Sequence, residues 1–137
     1  MIGIVIVTHA KLGEALIEAS EFILETIPEA TTSVSIDLNK KADTLRKKIA
    51  DGIQLVDRKK GILILTDMFG GSPSNLSYSF LEEGRIEVIS GVNLPILIKA
   101  VSAREKMSLN ELAQHLEIVG KNSITLASSI LKGNKRG

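Results

Sequence analysis

Two short apolar runs constrain this chain more than anything else in it: Ile2-Gly3-Ile4-Val5-Ile6-Val7 and Ile62-Leu63-Ile64-Leu65. Neither alternates with polar residues, and both are too short and too rich in branched side chains for a helix, so each reads as a buried strand. Strands buried on both faces belong to parallel sheets with helices on either side. Between Thr32 and Leu38 the pattern changes: Val34, Ile36 and Leu38 alternate with Ser33, Ser35 and Asp37. That second strand is half exposed and lies at a sheet edge. A fourth strand is predicted over Ile86 to Ser90.

Helical patterns fill the intervals. Leu12, Ala15, Leu16, Ala19, Ile23 and Ile27 recur at three- and four-residue spacing, with Pro28 as the stop. Ala42, Leu45, Ile49, Ile53 and Val56 define the inward face of a second helix. A third runs from about Pro73 to Glu83 and ends at Gly84. The fourth is opened by Pro95 and carried by Leu97, Ile98 and Val101. Ser108-Leu109-Asn110-Glu111 is a capping-box pattern. It starts a helix with Leu109, Leu112, Ala113, Leu116 and Val119 inward, closed by Gly120. Periodicity leaves 123–128 open between strand and helix, and Lys132 to Gly137 reads as a frayed basic tail. With no repeat or internal linker, residues 1–131 form one domain and 132–137 its tail.

Alternating strands and helices give an α/β fold, a doubly wound and mainly parallel sheet. Right-handed crossovers place the first strand centrally, with the second on one side and the third on the other, in the order 2-1-3-4. Ligands bind such sheets at the carboxyl ends of the two strands where the winding reverses. Those ends carry Thr8-His9 and Asp67. The topology therefore predicts that His9 and Asp67 share one crevice.

The chemistry of that crevice follows from its residue types. An imidazole is nucleophilic at one nitrogen when its proton sits on the other, and a buried carboxylate accepting the Nδ1–H fixes that tautomer. The stretch after Asp67, Met68-Phe69-Gly70-Gly71-Ser72-Pro73, offers two glycines for a tight turn and a proline suited to a first helical turn. Ser72 stands where a hydroxyl can cap that helix. The N–H groups around Gly70, Gly71 and Ser72, with the Ser72 hydroxyl, suit a phosphoryl group with its charged oxygens. A histidine, a carboxylate and such a nest, without metal ligands, suit reversible phosphorylation of histidine better than hydrolysis. No cofactor is called for.

Composition narrows the field. Lys plus Arg number 17 against 16 Asp plus Glu, and the chain has no Trp and one Tyr. Neither its field nor its aromatics suit nucleic acid. The absence of cysteine excludes disulfides and thiolate chemistry and fits a reducing cytoplasm. The apolar opening is too short for a signal peptide or a membrane span and has no basic leader. A cytoplasmic protein is expected.

Three motifs in order cover nearly the whole chain: Gly3-Ile4-Val5-Ile6-Val7-Thr8-His9, then Asp67-Met68-Phe69-Gly70-Gly71-Ser72-Pro73-Ser74-Asn75, then Ser90-Gly91-Val92-Asn93-Leu94-Pro95. Together they resemble the enzyme IIA domain of the mannose/fructose/sorbose family of the bacterial phosphoenolpyruvate-dependent sugar phosphotransferase system. The resemblance implies that His9 accepts phosphate from the phosphocarrier HPr and passes it to a IIB protein. Membrane permease components are then served indirectly. It implies that Asp67 hydrogen-bonds the histidine and that Ser72 lines the phosphate site. It further implies a homodimer in which a C-terminal strand is exchanged between subunits, making 123–128 an antiparallel strand at the sheet edge. Two positions depart from the family pattern. Ala10 stands where glycine often follows the histidine, and Met68-Phe69 falls where an aromatic pattern varies. The IIB protein is expected to be a separate chain, and the output is either sugar uptake or its regulation.

Other readings compete. The same crevice could hold an anionic metabolite without a covalent step. A receiver-type module phosphorylated on Asp67 would need an acidic pair after the first strand to hold Mg²⁺, where this chain has Thr8 and His9. His115, between Leu112 and Leu116, is expected at the edge of a buried helix face with no function. Asn75 and Asn93 either orient the loops or satisfy backbone groups. Lys132, Lys135 and Arg136 read as a solvated cluster.

Overall fold

The computed structural model describes residues 1–136, with side-chain surroundings through Lys132. The chain alternates strand and helix: β1 (Gly3–His9), α1 (Leu12–Leu24), β2 (Thr31–Ile36), α2 (Ala42–Val56), β3 (Ile62–Thr66), α3 (Ser72–Tyr78), β4 (Ile86–Ser90), α4 (Leu94–Ala103), α5 (Leu109–Asn122) and α6 (Ala127–Arg136). The four strands pair in the order β2-β1-β3-β4, every pair parallel, as the sequence predicts. Val7 lies opposite Thr66 across β1 and β3, so the two chains leave the sheet side by side at one end.

The period of two along the strands sorts the core into two layers. Ile2, Ile4, Ile6, Leu63 and Leu65 face Ile96, Leu97, Ala100, Leu112 and Leu116 of α4 and α5, with Leu16 and Ile17 of α1 beside them. Val5, Val7, Ile64, Val34 and Ile36 face Leu45, Ile49, Ile53 and Val56 of α2 and Leu76 of α3. At the amino ends of the strands the buried Arg104 closes the fold. Its guanidinium donates to the carbonyl of Glu29 at 2.5 Å and to Thr31 Oγ1 at 3.1 Å, fastening the end of α4 to the start of β2. Burial lowers its pKa from the ordinary value.

Several local expectations are corrected. α1 stops at Leu24, where Glu25 takes a left-handed conformation with φ of 56°, before Pro28 is reached. Its buried face is Gly13 and Ser20 with Leu16 and Ile17, so Leu12, Ile23 and Ile27 of the expected apolar face are exposed, Ile27 at 76%. β2 ends at Ile36, leaving Leu38 exposed in the following turn. α3 ends at Tyr78 rather than near Glu83. Gly120 does not close α5, which continues to Asn122. Its lack of a side chain serves packing instead, because a Cβ there would lie 2.6 Å from Ile96 Cδ1.

The end of the chain differs most. Ile124 to Leu126 is irregular and α6 follows, so residues 123–128 form no strand in the single chain. The expected frayed tail from Lys132 is instead part of α6 as far as Arg136; Gly137 lies outside the described residues. Residues 124–132 are exposed throughout and add no strand to the sheet.

The capping box at α5 forms as predicted. Ser108 Oγ accepts from the Glu111 N–H at 3.2 Å, and Glu111 Oε1 accepts from the Ser108 N–H at 3.1 Å. Replacing Ser108 by alanine leaves the Glu111 amide without its acceptor. Urea unfolding of Ser108→Ala is expected to show a loss of about 1 kcal/mol with an unchanged slope.

Candidate functional site

The parallel register brings two loop starts together at the carboxyl end of the sheet. On β1, the fully buried Thr8 turns its hydroxyl to the helix that follows, where Oγ1 accepts from the Gly13 N–H at 2.9 Å. That bond fixes the short connection through Ala10, a non-glycine residue held at φ of 49°. The left-handed region is where glycine is favoured, which gives a physical basis for glycine after the histidine. His9 is the last residue of β1, and Asp67 is the first residue beyond β3.

The two side chains meet as the sequence predicts. Asp67 Oδ2 accepts from the His9 main-chain N–H at 2.9 Å and lies 2.7 Å from His9 Nδ1, across 58 positions of sequence. Its second oxygen, Oδ1, accepts from the Met68 N–H at 3.0 Å. Burial works to raise the Asp67 carboxyl, but the His9 amide, ring and charge together outweigh it and hold the group below its ordinary value. Asp67 is therefore ionised at neutral pH and can only accept, so the imidazole proton sits on Nδ1. That leaves Nε2 with its lone pair. The carboxylate is 10% exposed and the imidazole 38%, so the acceptor is shielded while the ring is partly open.

The loop after Asp67 closes the other side. Gly70 takes φ of +84° with open space around it, so backbone conformation alone demands glycine there. Gly71 answers to proximity. A Cβ on it would stand 3.0 Å from His9 Cε1 and 3.7 Å from Nε2, which places the main chain of the loop against the open edge of the ring. Ser72 corrects the expected cap: it is the first residue of α3, Gly71 holds the cap position, and no side chain caps the helix. Ser72 lines a cavity of about 280 Å³ together with Leu38, Lys40, Leu45, Asn75 and Leu76. Asn93 is resolved between its two readings, because its side chain accepts from the Ile96 N–H at 2.9 Å and caps α4. His115 is half-buried on α5, and its buried Nε2 has no partner among the described residues.

Sequence reasoning missed a cluster of hydroxyls behind the loop. Thr66, Ser74 and Ser90 lie within hydrogen-bonding distance of one another, Tyr78 Oη lies within reach of Ser90, and Ser74 also reaches the Met68 carbonyl. The only signal available was a Thr and a Ser ending two neighbouring strands opposite each other, Thr66 and Ser90. No group of three or more acidic or histidine side chains among the described residues could hold a metal ion. No described helix is long and apolar enough to cross a membrane.

Known proteins match this chain in sequence and fold. The family model described as the PTS system fructose IIA component matches residues 3–117, a span that contains both loops and the whole sheet. The chain belongs to this family of enzyme IIA components. It is 31% identical over 135 residues to the fructose-specific EIIA component of Bacillus subtilis, covering 96% of this chain and 90% of that one. It is 35% identical over 105 residues to the mannose-specific EIIAB component of Escherichia coli, covering 76% of this chain and 32% of that longer protein. A phosphotransferase EIIA from Streptococcus agalactiae superposes with a TM-score of 0.83 at 26% identity, covering 94% of this chain and 99% of that one. The enzyme IIA family consists of phosphotransferases of bacterial sugar uptake, and this chain is a IIA component of that system.

The histidine–carboxylate pair makes a pH-dependent contribution to folding. Since the folded state holds Asp67 below the ordinary carboxylate value of about 4, its contribution is complete above that value and lost as pH falls through the lowered one. Asp67→Asn is expected to unfold at lower urea than wild type at neutral pH, with the two converging as pH falls through the lowered carboxyl value. A constant difference across that range would contradict the assignment.

Proposed function

We propose that this IIA component is a phosphocarrier in which His9 Nε2 takes a phosphoryl group from HPr and passes it to a separate IIB protein. The observation that carries this reading is the 2.7 Å contact between His9 Nδ1 and Asp67 Oδ2, with Nε2 left open beside Gly71. In the forward step the bond from phosphorus to the donor breaks as the Nε2–phosphorus bond forms. The ring becomes cationic while Nδ1 keeps its proton, and the Asp67 carboxylate stabilises that charge at contact distance. Transfer to IIB reverses the same bond changes. No proton need leave the ring.

The phosphoryl oxygens are received by the main-chain N–H groups of Gly70 and Gly71 and by the N–H and hydroxyl of Ser72. The proximity of Gly71 to the ring supports this role. A small residue there is essential, since any side chain would occupy the space the phosphoryl group needs. Phosphoryl transfer proceeds largely by positioning and charge stabilisation, which a fixed loop beside a fixed imidazole supplies. A cytoplasmic location fits exchange with HPr.

A homodimer with exchanged C-terminal segments completes the proposal. Beyond β4 the sheet has no further strand among the described residues, and a groove of about 650 Å³ runs along it, lined by Val88, Ser90, Ala113, Glu117 and Ile124 among others. Ile124, Leu126, Ile130 and Leu131 are exposed in the single chain, Ile124 at 84%. A partner's 123–128 segment, laid antiparallel along β4, would cover both exposed surfaces and satisfy the free strand edge.

Two measurements test these readings. Incubation with phosphoenolpyruvate, enzyme I and HPr is expected to place acid-labile phosphate on the wild type and none on His9→Ala; equal labelling of both removes His9 from the mechanism. Sedimentation at micromolar concentration is expected to give the mass of two chains, and a monomer mass contradicts the exchanged segment.

A further inference from the structure

The hydroxyl cluster behind the loop has a direction. Ser74 Oγ donates to the Met68 carbonyl at 2.5 Å. Ser90 Oγ lies 2.9 Å from Ser74 Oγ, and Tyr78 Oη lies 2.9 Å from Ser90 Oγ. Thr66 Oγ1 is within 2.5 Å of Ser74 Oγ and 2.9 Å of Ser90 Oγ. A carbonyl only accepts, so the Ser74 proton must go to Met68. Thr66 gives its single proton to Ser90, so Ser74 accepts from Ser90, which Tyr78 also supplies. Four hydroxyls from two strand ends and one helix thus feed one main-chain oxygen. Thr66 and Ser74 are wholly buried, so water does not reach those two hydroxyls, whereas Tyr78 and Ser90 are half-buried.

Met68 is the residue this arrangement holds, and it is held twice. Its carbonyl takes the Ser74 hydroxyl, and its N–H donates to Asp67 Oδ1 at 3.0 Å. The other oxygen of that carboxylate carries both N–H groups of His9. One peptide downstream the loop continues through Phe69 and Gly70 to Gly71, which rests against the His9 ring. The Met68 side chain, by contrast, is exposed. The main chain of Met68, not its side chain, links the buried hydroxyls to the reactive imidazole.

We propose that Ser74 is a positioning residue for phosphoryl transfer: through the Met68 main chain it sets the loop from Phe69 to Gly71 against His9 Nε2. The proposal rests on the phosphocarrier reading for its rate effect, and on geometry alone for the loop. Misplacing a phosphate-receiving loop by about an ångström costs transfer rates on the order of a hundred-fold. Loss of the Ser74 hydroxyl removes the donor to the Met68 carbonyl and frees that loop to move.

The test compares wild type, Ser74→Ala and Ser90→Ala by single-turnover transfer from phosphorylated HPr and by amide hydrogen exchange. Ser74→Ala is expected to transfer more slowly by about ten- to a hundred-fold, with faster exchange confined to Phe69, Gly70 and Gly71. Nitrogen NMR of its ring is expected to show His9 still protonated on Nδ1, because Asp67 is untouched. Ser90→Ala keeps the Ser74–Met68 bond and is expected to show the same changes at smaller size. Wild-type transfer in Ser74→Ala, exchange quickened evenly through β1 and β3, or a larger defect in Ser90→Ala each overturn the proposal. Should Ser74→Ala fail to fold, Ser90→Ala and Tyr78→Phe decide: quickened loop exchange supports it and unchanged exchange overturns it. If wild type itself takes no phosphate, the phosphocarrier reading falls, while loop exchange still reports whether Ser74 holds Met68.

Discussion

The Asp67 carboxylate accepts three N–H groups, from the His9 main chain, the His9 ring and the Met68 main chain. Two of the three come from backbone, so the carboxylate fixes where two loops lie before it fixes a tautomer. The ring nitrogen is the third donor, and its geometry is inherited from the other two. Placing an anion under this much donation costs solvation, and the donors more than offset it, as the lowered carboxyl pKa shows. Every chemical property assigned to His9 descends from this one arrangement.

That arrangement in turn depends on the parallel register of β1 and β3. With Val7 opposite Thr66, β1 runs two residues past that pair to His9, while β3 ends there and delivers Asp67 at the next position. A register slip would turn the strand's alternating faces over as well as moving the loop. The strands resist it because both faces of β1 and β3 are buried, against α1, α4 and α5 on one side and α2 and α3 on the other. The core therefore specifies the site geometrically. The Arg104 clamp lies at the opposite end of the sheet, where it closes the fold without touching His9 or Asp67.

Much of this was legible in the sequence because it followed from strong, short-range patterns. Unbroken apolar runs at Ile2–Val7 and Ile62–Leu65 identified interior strands, and the crossover rule then forced their carboxyl ends together. The capping box at Ser108 is a four-residue signal and formed as written. What failed were inferences about which face a helix turns inward. Along and just beyond α1, Leu12, Ile23 and Ile27 looked like the core face together with Leu16, yet the sheet receives Gly13, Leu16, Ile17 and Ser20. A chain with apolar residues on two faces does not say which one its own sheet will cover. Phe22, 86% exposed, lies on the uncovered side. Gly120 misled for a related reason: glycine marks helix ends by conformation, but here it marks a close crossing with Ile96.

The hydroxyl cluster was invisible to sequence for a different reason. Thr66, Ser74, Ser90 and Tyr78 are neither charged nor periodic, and they come from three separate elements. Only the fold reveals that their hydrogen bonds converge on one carbonyl. Such a network is stabilising only when each member is satisfied, since a buried hydroxyl or carbonyl left alone in a low dielectric is costly. The site thus rests on two polar assemblies that meet at Met68, an ionic one in front that sets the state of the imidazole and a neutral one behind that sets the loop. An ionic pair alone would leave the loop free, and the hydroxyls alone would leave the tautomer free. In the phosphocarrier reading proposed above, the nucleophile and its receiving loop must be ready at each encounter, and the two assemblies would supply that readiness from opposite sides of the same residue.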